Sequence, residues 1–341
     1  MRLIGALFIV VFLAACGRTP LTQQESFVFG TRVEVLVYGV PTEQARPAIT
    51  AVLQEFDRLH RSYHAWQPSE LTSLNAALAA GRRHTVSAEL DQLLRDAQAL
   101  SLRSRGLFDP GIGGLIALWG FHSESYTPRL PEANALTAWQ RAAPGIADLS
   151  IHADHQVSSR KRALAIDFGG YLKGVALDRA AALLRMHGID NALINIGGNI
   201  MALGSKGGQA WRVGIQHPRA SGTLATLELK DGEAIGTSGD YQRYFELDGV
   251  RYSHLLDPRS AAPSSASQAV SVLVTAGEAG TGQAGMYSDG LSKPLFLAGD
   301  GWREEAARLG LGHVLRIDPH GKVEASPAMR ARLKFDTEVA P

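Results

Sequence analysis

The sequence predicts an α+β fold in which helices flank a mixed or antiparallel sheet. Two observations carry this reading: helical periodicity clusters early in the chain, whereas β-rich runs dominate its second half. Asp231-Gly232 and Asp248-Gly249 interrupt those late runs in the manner of hairpin turns. The chain has 341 residues, 45% hydrophobic and 20% charged, enough to bury a sizeable core. Lys+Arg number 34 against 33 Asp+Glu, so no basic surplus points to nucleic-acid binding. A single cysteine excludes a disulfide framework and a thiolate-rich metal cluster.

In chain order, residues 3–15 form an apolar run behind Arg2. The run is shorter than the roughly 20 residues of a membrane span and fits an export signal. It ends in Leu13-Ala14-Ala15-Cys16, which resembles a bacterial lipobox, with Cys16 as the lipidated residue. The alternatives are an ordinary cleaved signal and a buried N-terminal helix. On the lipoprotein reading, 1–15 is a signal peptide, 16–25 a lipidated cysteine with a polar tether, and 26–335 the working domain. That domain then faces the periplasm, anchored to a bacterial membrane, with the outer membrane preferred because no Asp follows Cys16.

Val33–Tyr38 is β-branched and apolar, a strand. A helix follows over 43–60, with Pro47 near its start. Ser87 can cap a second helix, in which Leu90, Leu93, Leu94, Ala97 and Leu100 share one face and Gly106 closes the end. LAID (164–167) reads as a strand leading through a glycine turn to a helix over 174–186. NALINI (191–196), 269–277 and 313–317 read as strands, the span 223–258 as antiparallel strands, and 301–309 as a helix. Signatures of P-loop, zincin, GxSxG and CxxC proteins are absent. His60 and His64 share a helical face, but no third ligand follows, so they read as surface histidines; His152 and His155 read likewise.

Four segments carry more than folding requires: GLFDPGIGGLIALWGF (106–121), IDFGGYLKGVALD (166–178), IGTSGDYQRYFELDGVRYSHLLDP (235–258) and SDGLSK (288–293). In the second, glycines allow close backbone approach, a lysine adds positive charge, and a helix N-terminus favours phosphate. In this order, with FGT (29–31), PSELTSLN (68–75), NIGGNI (195–200) and WRVGIQHP (211–218), they resemble the FAD:protein FMN transferase (ApbE) family over about residues 27–300.

The resemblance implies a single two-lobed α+β unit, similar to the T-fold, with FAD between the lobes. It implies transfer of the FMN half of FAD to a Ser/Thr hydroxyl of a partner protein outside the cytoplasm, with AMP released and Mg²⁺ assisting. The partner would be a membrane redox subunit; one branch of the family is linked to nitrous oxide respiration. Phe29, Trp66, Leu107, Phe108, Asp109, Asp167, Lys173 and Leu256 match FAD contacts, although Trp66 suits core packing equally. Gly170, through its carbonyl, and Asp289 match Mg²⁺ ligands. His254 matches a required histidine, acting as base or as a positioner of pyrophosphate. FAD-binding or trafficking without efficient transfer, and FAD pyrophosphate hydrolysis, are the alternative activities.

Three departures stand out. Gly111 follows Phe108-Asp109-Pro110 where threonine is common, and a Gly-rich stretch (277–285) precedes Asp289. Position 293, a threonine ligand in the family, is Lys293, followed by Pro294. A charged ammonium has no lone pair for a metal. Lys293 can turn away from a metal held by Asp289, stand where the cation would be, or face solvent. Pro294 costs about 3 kcal/mol if the segment stays helical.

Overall fold

A computed structural model describes residues 19–123, 125–278 and 282–335, so the signal-like run and Cys16 lie outside the described residues. An eight-stranded antiparallel sheet organises the chain. Its strands are β1 (Leu21–Val28), β2 (Thr31–Tyr38), β3 (Ala192–Ile196), β4 (Asn199–Leu203), β5 (Ala234–Gly239), β6 (Ala269–Val274), β7 (His313–Ile317) and β8 (Val323–Ala325). Their spatial order is their chain order, with helices and smaller sheets inserted between neighbours. β1 corrects one expectation: it starts at Leu21, inside the stretch read as a tether, and pairs with β2 from Leu21↔Tyr38 to Val28↔Thr31.

The helices are α1 (Thr42–Ser62), α2 (Glu70–Ala79), α3 (Ala88–Arg103), α4 (Gly113–Leu118), α5 (Ala133–Ala142), α6 (Leu172–Met186), α7 (Ala284–Ala298), α8 (Trp302–Leu309) and α9 (Pro327–Arg332). Ser87 caps α3 as expected, its hydroxyl accepting from Leu90 N at 3.1 Å. Ser69 and Thr72 close a reciprocal capping box on α2, which explains part of the PSELTSLN motif.

Alternation along the strands sends side chains to two cores. Val33, Val35, Val37, Ile194, Ile196, Val270 and Val272 pack under α1, α3, α6 and α7. Ile200, Ile235, Leu273 and Leu315 face a three-stranded sheet formed by 211–216, 223–229 and 334–335. β6 is buried along its whole length because both faces are covered. A third cluster of Leu115, Trp119, Phe121, Trp139, Phe245 and Leu256 forms a smaller cap, the second lobe.

Two turns illustrate what an Asp-Gly pair does and does not specify. Asp248 and Gly249 both adopt positive φ (51° and 76°) and join the hairpin 244–247/250–253 as expected. Asp231-Gly232 is not a hairpin: the strand before it belongs to the three-stranded sheet, whereas β5 after it joins the main sheet. LAID is likewise no strand; Ala165 makes only an isolated bridge to Ile112.

α7 sits where α6 and the sheet converge. A Cβ on Gly174 would lie 2.2 Å from the Gly285 carbonyl oxygen, and one on Gly236 would lie 2.5 Å from Ser288. Only glycine permits these approaches, so Gly285 in the unusual Gly-rich stretch is a packing requirement. Asp178 accepts from Gly285 N and Met286 N, both at 2.8 Å, and starts α7. The helix then runs through Pro294. Lys293 Nζ and Ser292 Oγ bond to the Asp289 carbonyl at 2.8 and 2.7 Å, reinforcing the turn before the proline.

Candidate active site

The site is built where the helix-covered core meets the cap, and it has two unlike walls. The first is a series of rings. Phe29 occupies the β1–β2 turn at φ 58°, a strained conformation for a bulky residue. Its ring stands 5.7 Å from His60, which stands 4.9 Å from His64. His64 is 4.5 Å from Trp66, and Trp66 stacks on His122 at 5.0 Å and 26°. His122 Nε2 meets Asp167 Oδ2 at 2.9 Å. The surface reading of His64 is corrected: it is buried, and its Nδ1 accepts from Trp66 N and Gln67 N at 3.3 and 3.1 Å, shaping the turn that presents Trp66.

Asp167 is fixed from several sides. Asn75 bonds both ways to the Ile166 backbone, at 2.9 and 2.7 Å, and Asp167 N donates to the Pro110 carbonyl at 2.8 Å. Burial works to raise the Asp167 pKa. The hydrogen bond and charge of His122, the Gly169 amide and the charge of Arg243 outweigh it and hold the carboxyl below its usual value.

The second wall is cationic. Lys173 lies in the first turn of α6, and Lys293 reaches in from α7 beside Gly170, where a Cβ would lie 3.8 Å from the Lys293 Cε. The solvent-facing alternative for Lys293 is therefore excluded. Its ammonium bonds to Asp289 Oδ1 and to the Asp289 carbonyl, and Asp289 Oδ2 accepts from Gly174 N at 3.0 Å. The orientation of α7 is set by Ser292, whose hydroxyl lies 2.7 Å from that of Ser238 in the TSGDY segment. Arg243 joins the two walls: its guanidinium lies 5.9 Å from the Trp66 ring and 5.4 Å from that of Tyr126, and it donates to the Phe121 carbonyl at 2.9 Å. The Arg243 charge also reaches Asp167 and helps hold that carboxyl below its usual value.

His254 feels this charge. Burial, then Arg243 and Lys173, push its pKa down to about 3, so the imidazole is neutral at ordinary pH. Nδ1 lies 3.1 Å from the Arg243 carbonyl oxygen, which can only accept; Nδ1 therefore carries the proton and Nε2 a lone pair.

Other expected site residues are placed differently. Phe108 is buried against Tyr171 at 5.8 Å, and Leu107 is half-buried at the core's edge. Asp109 Oδ1 accepts from Gly111 N at 2.7 Å and Ile146 N at 2.9 Å, which gives it a loop-shaping role. Burial lifts its carboxyl to about 6 despite those bonds. Gly111 is explained by the same contact, since a Cβ there would lie 2.5 Å from Ile146 N. Leu256 is 5% exposed and packs inside the cap cluster. His122, Tyr126 and Arg243 were missed by sequence reasoning, although Arg243 lies inside the TSGDYQRYF stretch.

The expected Mg²⁺ ligands do not fit a metal in this arrangement. Asp289 already gives Oδ1 and its carbonyl to Lys293 and Oδ2 to Gly174 N, and Lys293 supplies no lone pair. Among the described residues, no group of three or more His, Cys, Asp or Glu is placed to hold a metal ion.

The family model for ApbE matches residues 29–314. A protein of Rhodobacter capsulatus named FAD:protein FMN transferase is 42% identical over 317 residues, covering 92% of this chain and 59% of the relative. The chain thus spans less than two thirds of that relative's length. A Treponema pallidum protein of the same name is 32% identical over 270 residues, 74% of each. The crystal structure of an ApbE protein from Thermotoga maritima matches with a TM-score of 0.83 at 27% identity, over 92% of this chain and 99% of that one. Sequence, fold and site agree: the chain belongs to the ApbE family.

Proposed function

We propose that the protein transfers the FMN half of FAD to a Ser or Thr hydroxyl of a partner protein. The observation that carries this reading is Arg243, which joins a ring-lined wall to a cation-lined one. A flat aromatic ring system suits the first and a pyrophosphate the second, and FAD carries both. The names of the relatives support the same substrate and reaction.

In the reaction, the acceptor oxygen attacks the phosphorus on the FMN side of the pyrophosphate. The bond to the bridging oxygen breaks, AMP leaves with that oxygen, and a phosphoester joins FMN to the acceptor. The hydroxyl proton passes to Nε2 of His254, whose tautomer leaves that lone pair open, and then to solvent. The negative pyrophosphate offsets the repulsion from Arg243 and Lys173 and so raises the basicity of His254 as substrate binds. Lys173, Arg243 and Lys293 stabilise the charge that gathers on the phosphates. Mg²⁺, implied by the resemblance, has no step here because Asp289, its expected carboxylate ligand, is already engaged by Lys293 and Gly174 N.

The reading extends to location. Arg2, the apolar run and Cys16 support export and lipid anchoring, with a membrane redox subunit, such as one of nitrous oxide respiration, as acceptor. Cys16→Ser should move the protein from the membrane fraction to the soluble fraction or leave an unprocessed precursor; unchanged, fully processed membrane protein would refute the anchor. For the activity, incubation with FAD and a redox-subunit acceptor should give an FMN adduct and AMP in equal amounts. AMP without adduct would mark a hydrolase instead, and bound FAD without AMP a carrier.

A further inference from the structure

We propose that Lys293 is a tethered cation that does the work of a divalent metal in holding the FAD pyrophosphate. The inference rests on the FAD reading above and identifies what charges the phosphate subsite. Lys293 is mostly buried, its side chain 16% exposed, and Asp289 is 1% exposed. Asp289 takes up two of the ammonium's three donors, through Oδ1 and the carbonyl, and the Lys293 Cε lies beside Gly170. The Gly174 amide holds the other carboxylate oxygen, so the pair is fixed from α6 as well as α7.

Charge balance points the same way. Lys173, Arg243 and Lys293 are three cations around His254, and Asp289 neutralises one of them. With Asp167 also within reach of the Arg243 charge, the subsite still holds more cations than carboxylates, a balance that suits the anionic pyrophosphate of a dinucleotide. Adding a divalent ion would place further positive charge among three cations and would require displacing the ammonium from Asp289. The close packing of Gly174 on Gly285 leaves α7 little freedom to move aside.

The test is FAD binding, measured by flavin fluorescence on metal-stripped protein in EDTA and again in excess Mg²⁺. Wild type is expected to bind about equally in both. Lys293→Thr, which substitutes a hydroxyl oxygen donor for the ammonium, should bind about ten- to hundredfold more weakly than wild type in EDTA and recover with Mg²⁺. Lys293→Arg, which keeps the charge, should retain binding in EDTA. Wild-type affinity that falls about tenfold or more when Mg²⁺ is removed would overturn the proposal while leaving the transferase reading intact. Lys293→Thr binding as tightly as wild type in EDTA would do the same. Failure of wild type to bind FAD in either medium would overturn the transferase reading and this proposal together. The wild-type comparison decides the matter even if a variant does not fold.

Discussion

The two walls of the site solve different problems with different materials. The wall from Phe29 through His60, His64 and Trp66 to His122 is made of rings, whose geometry is fixed by a strained turn and the end of α1. The facing wall, Lys173, Arg243 and Lys293, comes from helix starts, a hairpin approach and a helix interior, and carries more cations than nearby carboxylates. Burial and Lys173 push the Lys293 ammonium below the usual lysine range against the pull of Asp289. The contrast teaches that affinity and chemistry are divided: rings supply shape and apolar contact, whereas cations supply the field in which phosphate chemistry occurs.

The largest effect expected from that division belongs to His254. His254→Ala should slow single-turnover FMN transfer by about 10²–10⁴-fold, the usual scale for a general base, while FAD binding stays close to wild type. Equal losses in binding and rate would assign the residue to positioning alone. Lys173→Ala should weaken FAD binding by about 1.5–3 kcal/mol, the scale of a hydrogen bond to a charged group. That loss should shrink as salt rises, because screening already weakens the wild-type attraction; a salt-independent loss would place Lys173 outside the phosphate subsite.

Trp66→Ala sharpens the comparison from the other wall. It should cost about 0.5–1.5 kcal/mol of FAD affinity, with little salt dependence, because stacking rather than charge is removed. A strongly salt-dependent loss would show that Trp66 acts chiefly by positioning Arg243. The smallest effect concerns pH. The folded-state pKa of His254, about 3, lies below its ordinary 6.5, so the free enzyme keeps the neutral base as pH falls. kcat/KM should therefore show no acid limb from this residue above about pH 5; a limb near 6.5 that disappears in His254→Ala would contradict the assignment.

The sequence made some of this legible and hid the rest for physical reasons. The β-branched, apolar run Val33–Tyr38 and the Ser87 cap depend on local chemistry, and both emerge as expected. Asp231-Gly232 specifies a tight turn but not the partner of either flanking strand, so its crossing between sheets was invisible. His64 has ordinary helical spacing; its burial arises only when the chain turns at Trp66 and sets the indole against the imidazole. His122 and Arg243 come from distant segments that meet through Phe121 and Trp66, a long-range juxtaposition no local pattern encodes. Lys293 was conspicuous as a departure, but its inward direction depends on the Gly174–Gly285 crossing and the Ser238–Ser292 bond.

The central claim is that the two walls together hold FAD for transfer rather than for storage or hydrolysis. The most direct measurement is mass spectrometry of a redox-subunit acceptor after incubation with the purified protein and FAD, with AMP quantified in the same sample. The account predicts an FMN phosphoester on a Ser or Thr of the acceptor and one AMP released for each adduct. AMP accumulating over an unmodified acceptor, or FAD remaining bound and intact, would contradict it.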